Sequence, residues 1–545
     1  MVLTLLAGAA ANAAAQDATH TPAAVLTFAE GTESVRIATG GADGYEFSID
    51  WGDGQETTYN EQQWITADLK GSTVKIYGDQ ITTVRANSQP LVSADISNAP
   101  ALTTIFFTGN PQMTTLTLGS HPALTGIYAY ECAITAIDFS GCPAMRSIDM
   151  HVNAIAGAVD CSAMTSLSTI DMADNAITSV KLPKTTRVYD VDFGNNQLTE
   201  IDVTDLDGLV ELTLTGNKLS GIDLTGLTAL ETLRLGENQL TEIDLGECEA
   251  LETLVLSDNE LSEIDLAVVP TLSGVYLQNN RLTEVDITEN PSIRWFNVEN
   301  NELTEIDLSA QPYMLILTLS GNKLTEVDLS NNKSISSLLV DHNELTEIDV
   351  TGISYLSQLH CEGNKIESLD LSKNAYLYGL YCGDNALSTL DLTANTYVQR
   401  VQAQNNKLSA LDLTANTGLQ ELQVQGNPMD VTAIDAMIES LPDVSNVQVT
   451  EYTEEFCRKL NISNMYGTAA ADVAAAEAKG WFVTAEPGEL GGITDAAADS
   501  DATVVSTVYY NAAGAASTRP FEGFNIRVDR LDNGATRTSK LSVVR

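Results

Sequence analysis

The chain has 545 residues, with 27 Lys and Arg against 74 Asp and Glu, a formal net charge of −47. That balance argues against nucleic acid as a partner, because binding it needs basic surface to neutralise phosphates, and against anionic membrane surfaces for the same reason. Disorder is excluded as well: 43% of residues are apolar and only 19% are charged, enough apolar material for a core.

In chain order, the first element is MVLTLLAGAAANAAAQ, an apolar stretch ending in small residues. Ala13-Ala14-Ala15 before Gln16 fits a signal-peptide cleavage motif, so residues 1–15 read as a signal peptide and the protein as exported. No later segment approaches the ~18 continuous apolar residues of a membrane helix. A small β domain is expected over 16–89. Within it, Asp53-Gly54 lies between β-like runs in FSIDWGDG (47–54), the composition of a hairpin turn rather than a metal loop.

A strict internal period then takes over. LETLRLGENQLTEIDLGECEA (230–250), LETLVLSDNELSEIDLAVVPT (251–271) and LSGVYLQNNRLTEVDITENPS (272–292) share one 21-residue frame, L-x-x-L-x-L-x-x-N-x-L-[ST]-x-[IV]-D-L plus five variable residues. Its Asn falls at Asn175 and Asn196, then at Asn217, Asn238, Asn259, Asn280, Asn301, Asn322, Asn343, Asn364, Asn385, Asn406 and Asn427 without a slip. Upstream, Asn153, Cys132 and Asn110 continue the column, which predicts about sixteen turns over 90–428. In L-x-L-x-x-N, alternate Leu residues such as Leu233 and Leu235 point inward from a short strand, and strands of successive turns stack in parallel. The Asn sits at the inward bend, where its amide bonds backbone groups that have no other partner. Losing one such amide should cost about 1–3 kcal/mol.

After the repeats, Val431, Ile434, Met437, Ile438 and Leu441 recur at helical spacing and would cover the open end of the core, so 429–485 reads as a helical cap. A Gly- and Ala-rich linker is expected over 486–503. The last segment, 504–545, reads as a small antiparallel β unit with an Asp532-Asn533-Gly534 turn, and it is locally basic: from Arg519 onward there are six basic residues against three acidic.

The frame is the leucine-rich-repeat pattern. Its L-[ST]-x-[IL]-D-L-[ST] half, with Cys361 and Cys382 in LHCEGN and LYCGDN, resembles internalin-type repeats and is most similar to the internalin J-like surface proteins of Bacteroidetes. FSIDWGDG resembles the β domain that opens such proteins, and AIDAMIESLP (433–442) with AAAEAKGWFV (474–483) resembles their C-terminal cap. The final forty residues look like a type IX secretion sorting tail. The resemblance implies a leucine-rich-repeat solenoid, with parallel strands on one face and irregular chain on the other, between a small β domain, a helical cap and a β-sandwich-like sorting tail. It also implies secretion or an outer-surface location, handling by a secretion machinery through the tail, and adhesion through the concave strand face to a protein on a host or neighbouring cell.

Outward positions on that face lie six, four and two residues before each Asn. Most are small or polar, and the exceptions cluster: Tyr276 and Trp295; Leu339, His360 and Tyr381, with Tyr378 close by; and Phe106, Tyr128 and Tyr130. Exposed aromatic residues anchor protein interfaces and also stack on sugars, so a surface carbohydrate-binding protein is the alternative, and a passive spacer the second alternative. Acidic residues repeat too, from Glu200 and Asp202 to Glu347 and Asp349. Ca²⁺ would relieve their repulsion, but local backbone bonding by Asp and solvation of Glu account for the pattern, and no metal or cofactor is expected. The seven Cys form no CxxC pair, and Cys361 and Cys382 read as reduced core thiols. The five His form no HExxH, and GxSxG and phosphate-loop motifs are absent, so the chain reads as a binding protein rather than an enzyme.

Overall fold

The computed structural model describes residues 21–41, 45–60, 64–450, 457–486, 504–511, 516–517, 523–531 and 536–543. The expected signal peptide 1–15, the linker 486–503 apart from Glu486, and the Asp532-Asn533-Gly534 turn lie outside them. The chain divides into two units, Met1–Leu251 and Glu252–Arg545.

In the first unit, period-2 burial makes strands before the repeats begin. The strands are β1 (Ala24–Phe28), β2 (Ser34–Gly40), β3 (Phe47–Asp50), β4 (Glu56–Tyr59), β5 (Trp64–Asp68), β6 (Thr73–Tyr77), β7 (Thr83–Arg85) and β8 (Leu91–Asp95). Ala24, Leu26 and Phe28 of β1 are buried while Val25 and Thr27 between them are partly exposed. One antiparallel sheet runs β4–β3–β6–β1–β8, and Thr115–Thr117 joins it in parallel with β8. The other sheet runs β5–β2–β7, antiparallel. Leu26, Ile49 and Ile76 of the first sheet and Ile37 and Val84 of the second are fully buried. At the β3–β4 hairpin, Asp50 Oδ1 accepts from the backbone N–H of Gly52 and of Gly54, both at 2.9 Å, so WGDG is a turn built around a local carboxylate.

β7 then pairs in parallel with Thr104–Phe106 and starts the repeat ladder, so the edge of the first repeat strand is covered by the domain before it. Three-residue strands follow at each repeat, with the central residue buried and its neighbours facing outward, as in Thr253–Val255 and Arg400–Gln402. Among the described residues, eight parallel ladder strands belong to the first unit and eleven to the second, nineteen rather than the sixteen expected. The extra ones are β7 at the start and Lys459–Asn461 and Phe482–Thr484 at the end. None carries the Asn of the frame, which is why the period does not reveal them. The expected boundaries at 89 and 429 therefore fall inside the ladder.

Two columns of buried amides run through the turns. On the strand side, Asn301 Nδ2 donates to the carbonyls of Leu277 (3.0 Å), Val298 (3.1 Å) and Glu299 (3.3 Å), and its Oδ1 accepts from Leu282 N (3.0 Å). The same pattern recurs at Asn217, Asn322, Asn343, Asn364 and Asn406. Cys132 stands in the column with its thiol on the Phe107 carbonyl at 3.1 Å. The second column lies eleven residues earlier in each turn, at Asn290, Gln311, Asn332, Asn374, Asn395 and Asn416, all fully buried. Asn332 Nδ2 donates to Leu308 O (2.9 Å) and Gln311 O (3.0 Å), whereas the side-chain oxygens of all six accept no hydrogen bond among the described residues.

The aspartates of the frame tie the back turns. Asp286, Asp349 and Asp412 each accept from the hydroxyl and backbone N–H of the Thr two residues on, and these bonds hold their carboxyls below the usual range. Helix α1 (Val431–Ser440) is capped by Asp430, which accepts from Ala433 N at 2.9 Å, and it buries Ile434, Met437 and Ile438. Helix α2 (Val473–Ala478) precedes Lys479, whose ammonium donates to the carbonyls of Ile438, Glu439 and Leu441 at the end of α1. All seven Cys are free thiols, six of them buried. Burial pushes Cys161 and Cys382 up to about 12 and Cys142 and Cys248 up to about 11.

At the C-terminus, Val504–Asn511, Ala516–Ser517, Gly523–Leu531 and Thr536–Val543 form one four-stranded antiparallel sheet among the described residues, not the two packed layers that a sandwich requires. No helix among the described residues is long and apolar enough to cross a membrane.

Candidate binding surfaces

Parallel in-register strands place equivalent residues of successive turns side by side, so one position per repeat becomes a column on the strand face. In the first unit, the last residue of each strand, four before Gln89, Asn110, Cys132, Asn153, Asn175 and Asn196, reads Arg85, Phe106, Tyr128, Asp149, Asp171, Asp192 along consecutive strands. Phe106 and Tyr128 stack with centroids 4.9 Å apart and planes within 6°, and the Arg85 guanidinium lies 4.2 Å from the Phe106 centroid. Tyr130, two residues nearer the Asn column, stacks on His151 at 4.6 Å and 9°. All three aromatic residues proposed for this region are thus in ring stacks, half-buried rather than freely exposed.

His151 joins this stack to the acidic part of the column. Its Nδ1 is 2.7 Å from Asp149 Oδ1 and 3.3 Å from Asp171 Oδ2. These three residues bring potential ligand atoms within 4.8 Å of one another, a spacing that would admit a metal ion. An imidazolium at His151 would balance the same charges. Burial pushes Asp192 up to about 6, with Asp171, Asp190 and Asp174 adding repulsion, and raises Asp149 and Asp190 in the same direction.

In the second unit, Leu339, His360 and Tyr381 stand in register on three consecutive strands, and the His360 and Tyr381 rings stack at 4.0 Å and 18°. Tyr378 lies under Arg400, whose guanidinium is 6.0 Å from the ring centroid. Beyond them, buried Glu421 accepts from Gln402 Nε2 (2.8 Å) and Gln423 Nε2 (2.5 Å). Tyr276 and Trp295 occupy different columns: Trp295 is opposite Gly274 and Tyr276 opposite Asn297, so the two are diagonal neighbours.

Two sets of residues escaped the sequence reading. The first is Arg85, His151 and the Asp149–Asp171–Asp192 column, hidden because aspartate is common throughout the chain. The second is Tyr313, Tyr355, Tyr376 and Tyr397, which are 64%, 66%, 58% and 64% exposed, against 37% for Trp295. These tyrosines lie nine residues before an Asn of the frame, outside the three columns considered. The 21-residue period was the signal that would have found them.

No family model matches the chain, and no curated protein does. Among solved structures, the functional domain of InlJ from Listeria monocytogenes, which includes a cysteine ladder, is similar over 87% of this chain and 93% of its own, with 20% identity and a TM-score of 0.55. YopM from Yersinia enterocolitica aligns over 62% of this chain and 71% of its own, with 25% identity and a TM-score of 0.54. The plant peptide hormone receptor RGFR1, in complex with RGF2, aligns over 68% and 72%, with 18% identity and a TM-score of 0.56. The parallel ladder, the amide columns and these likenesses together make the fold of this chain a leucine-rich-repeat solenoid.

Proposed function

We propose that this is an exported, surface-attached binding protein rather than an enzyme, and that its strand face engages a protein ligand on a host or neighbouring cell. The observation that carries the reading is the pre-ordering of aromatic rings on rigid strands: Phe106 with Tyr128, Tyr130 with His151, and His360 with Tyr381. Rings already held by their neighbours lose little side-chain entropy when a partner covers them, which suits interface anchors. That a neighbour of the same fold, the plant receptor, is a complex with RGF2 is consistent with a peptide or protein ligand. The apolar start followed by Ala13-Ala14-Ala15, and the basic C-terminal sheet, support export and handling by a type IX-like machinery.

The test is binding of the purified protein to an array of host-surface proteins, repeated with Tyr128→Ala/Tyr130→Ala and with His360→Ala/Tyr381→Ala. A ligand lost with either pair places the contact on the strand face. Hits that survive both pairs would remove that face from the reading. For export, removal of residues 504–545 should leave the protein inside the producing cell; normal surface display of the shortened chain would refute the sorting role.

A further inference from the structure

We propose that the exposed tyrosine row of the second unit is a platform for a linear, neutral, β-linked polysaccharide. It rests on the tyrosine row rather than on the ring stacks of the reading above, shares only Tyr378 with the strand-face candidates, and does not depend on that reading. Tyr355, Tyr376 and Tyr397 occupy one position in three consecutive repeats, and their rings run nearly parallel, at 6.1 Å and 12° for the first pair and 6.2 Å and 23° for the second. Fully buried Leu356, Leu377 and Val398 follow them directly and pin the backbone behind the row. The rings are therefore held in order while most of their surface remains in water.

The composition beside the row selects the ligand class. Ser357, Tyr378 and Gln399 lie two residues on, between the turns that carry the tyrosines and the strands that follow. Gln420 follows on the next turn, its Nε2 donating to Gln399 Oε1 at 3.1 Å. The strip thus offers phenol, hydroxyl and carboxamide groups, with the Arg400 guanidinium over Tyr378 as a charge at its strand-side edge, on a chain whose net charge is −47. A pyranose presents C–H groups to aromatic surface and hydroxyls to neutral donors and acceptors, which is this combination. An anionic polymer would be repelled by the rest of the protein, and a cationic one would find stronger attraction at the aspartate column of the first unit. The row also repeats turn by turn, with each ring more than half exposed. A single sugar gains little on an open ridge, but a chain laid along it meets the same groups at each turn, and the contacts add within one molecule. A β-linked chain is extended and can follow a straight row, whereas an α-linked glucan coils away from it.

The experiment is native gel electrophoresis of the full chain through gels containing mixed-linkage β-glucan, linear β-mannan, dextran or hyaluronate, followed by calorimetry with a β-linked hexasaccharide and disaccharide. We expect retardation by at least one neutral β-linked polymer and by neither dextran, which is α-linked, nor hyaluronate, which is β-linked but anionic, with the hexasaccharide binding more tightly than the disaccharide. Tyr376→Ala should weaken binding about tenfold, the contribution of one ring contact, with an unchanged melting temperature because the side chain is largely in solvent. Trp295→Ala should leave it unchanged. Failure of both neutral β-linked polymers to retard the protein would overturn the proposal, as would equal retardation of Tyr376→Ala or loss on Trp295→Ala. Light scattering completes the set: a dimer that Tyr376→Ala dissociates, without glycan binding, would make the row a contact between copies and equally end the proposal.

Discussion

At Val152 the backbone is left-handed, φ 52°, and a β-branched side chain is there among the most strained choices. The same position in other turns is held by Gly109, Asn195, Gly216, Asn279 and Asn300, residues that accept this conformation. Val152 is 43% exposed, so its side chain contributes little burial in return. Val152→Asn should therefore stabilise the protein by about 1 kcal/mol, read as a higher urea midpoint at constant slope. A second residue-scale prediction concerns Asp192. Burial pushes its carboxyl up to about 6, above its ordinary value, so its contribution to stability is fully present below about pH 4 and is lost as the pH rises through about 6. Asp192→Asn removes that charge while keeping an acceptor for Gly194 N at 2.8 Å. The variant should be more stable than the parent by about 1–2 kcal/mol at pH 7, after allowance for solvent screening, and no more stable at pH 4. Denaturant titrations at the two pH values check this. Asp286, Asp349 and Asp412 work in the opposite sense: their lowered values favour the fold above the ordinary carboxylate range and cease to do so as the pH falls through them.

At the scale of the repeat, the two amide columns look alike in sequence and differ in physics. Asn301 makes four hydrogen bonds and satisfies both ends of its amide, so Asn301→Ala should cost about 2–3 kcal/mol. Asn332 donates twice, but its oxygen is buried with no donor among the described residues. Ile353 fills the equivalent position one turn later, fully buried. Asn332→Ile exchanges a half-satisfied amide for a side chain the column already accepts, and should change stability by less than about 1 kcal/mol. Equal losses for the two variants would contradict the distinction. The strand-side column was legible because its Asn recurs thirteen times without a slip. The other was not, because its place is shared by Asn290, Gln311, Asn332 and Ile353, and before them by Cys248 and Val269, so that burial is common to the column and chemistry is not. The ring stacks fall between these cases. The columns containing Phe106, Tyr128 and His360 follow from the period, but pairing within them depends on side-chain torsions that no spacing specifies.

For the whole molecule, the middle of the ladder was readable and its ends were not. The first and last strands are recruited from segments with no frame residue to announce them: β7 from the β domain, and Lys459–Asn461 and Phe482–Thr484 from the segment around α1 and α2. What marks them is a strand edge that must be covered. The thiols belong to this scale as well, since they are spread along both units and six of the seven are buried. Cys361 and Cys382 are buried just after neighbouring strands, with Cys361 held well above the ordinary thiol range by burial. Iodoacetamide at neutral pH should therefore modify at most Cys132, the one thiol that is not fully enclosed, in the native protein, and all seven in urea. Mass spectrometry of the labelled chain counts them directly, and rapid native labelling of Cys361 would show that the core opens far more readily than its packing implies.

The constancy of the spacing also bears on inheritance. From Thr253–Val255 to Glu421–Gln423, each strand meets the next through the same register. A deletion or duplication of 21 codons in this stretch joins equivalent positions and creates no new kind of junction. Unequal recombination within the gene then alters the number and order of rungs while each product still folds, so tyrosine-bearing turns can be multiplied, interrupted or lost as units. Selection on such a gene acts on the sequence of turns as on a string of interchangeable characters, and a binding surface is gained or erased in one genetic event rather than by successive substitutions.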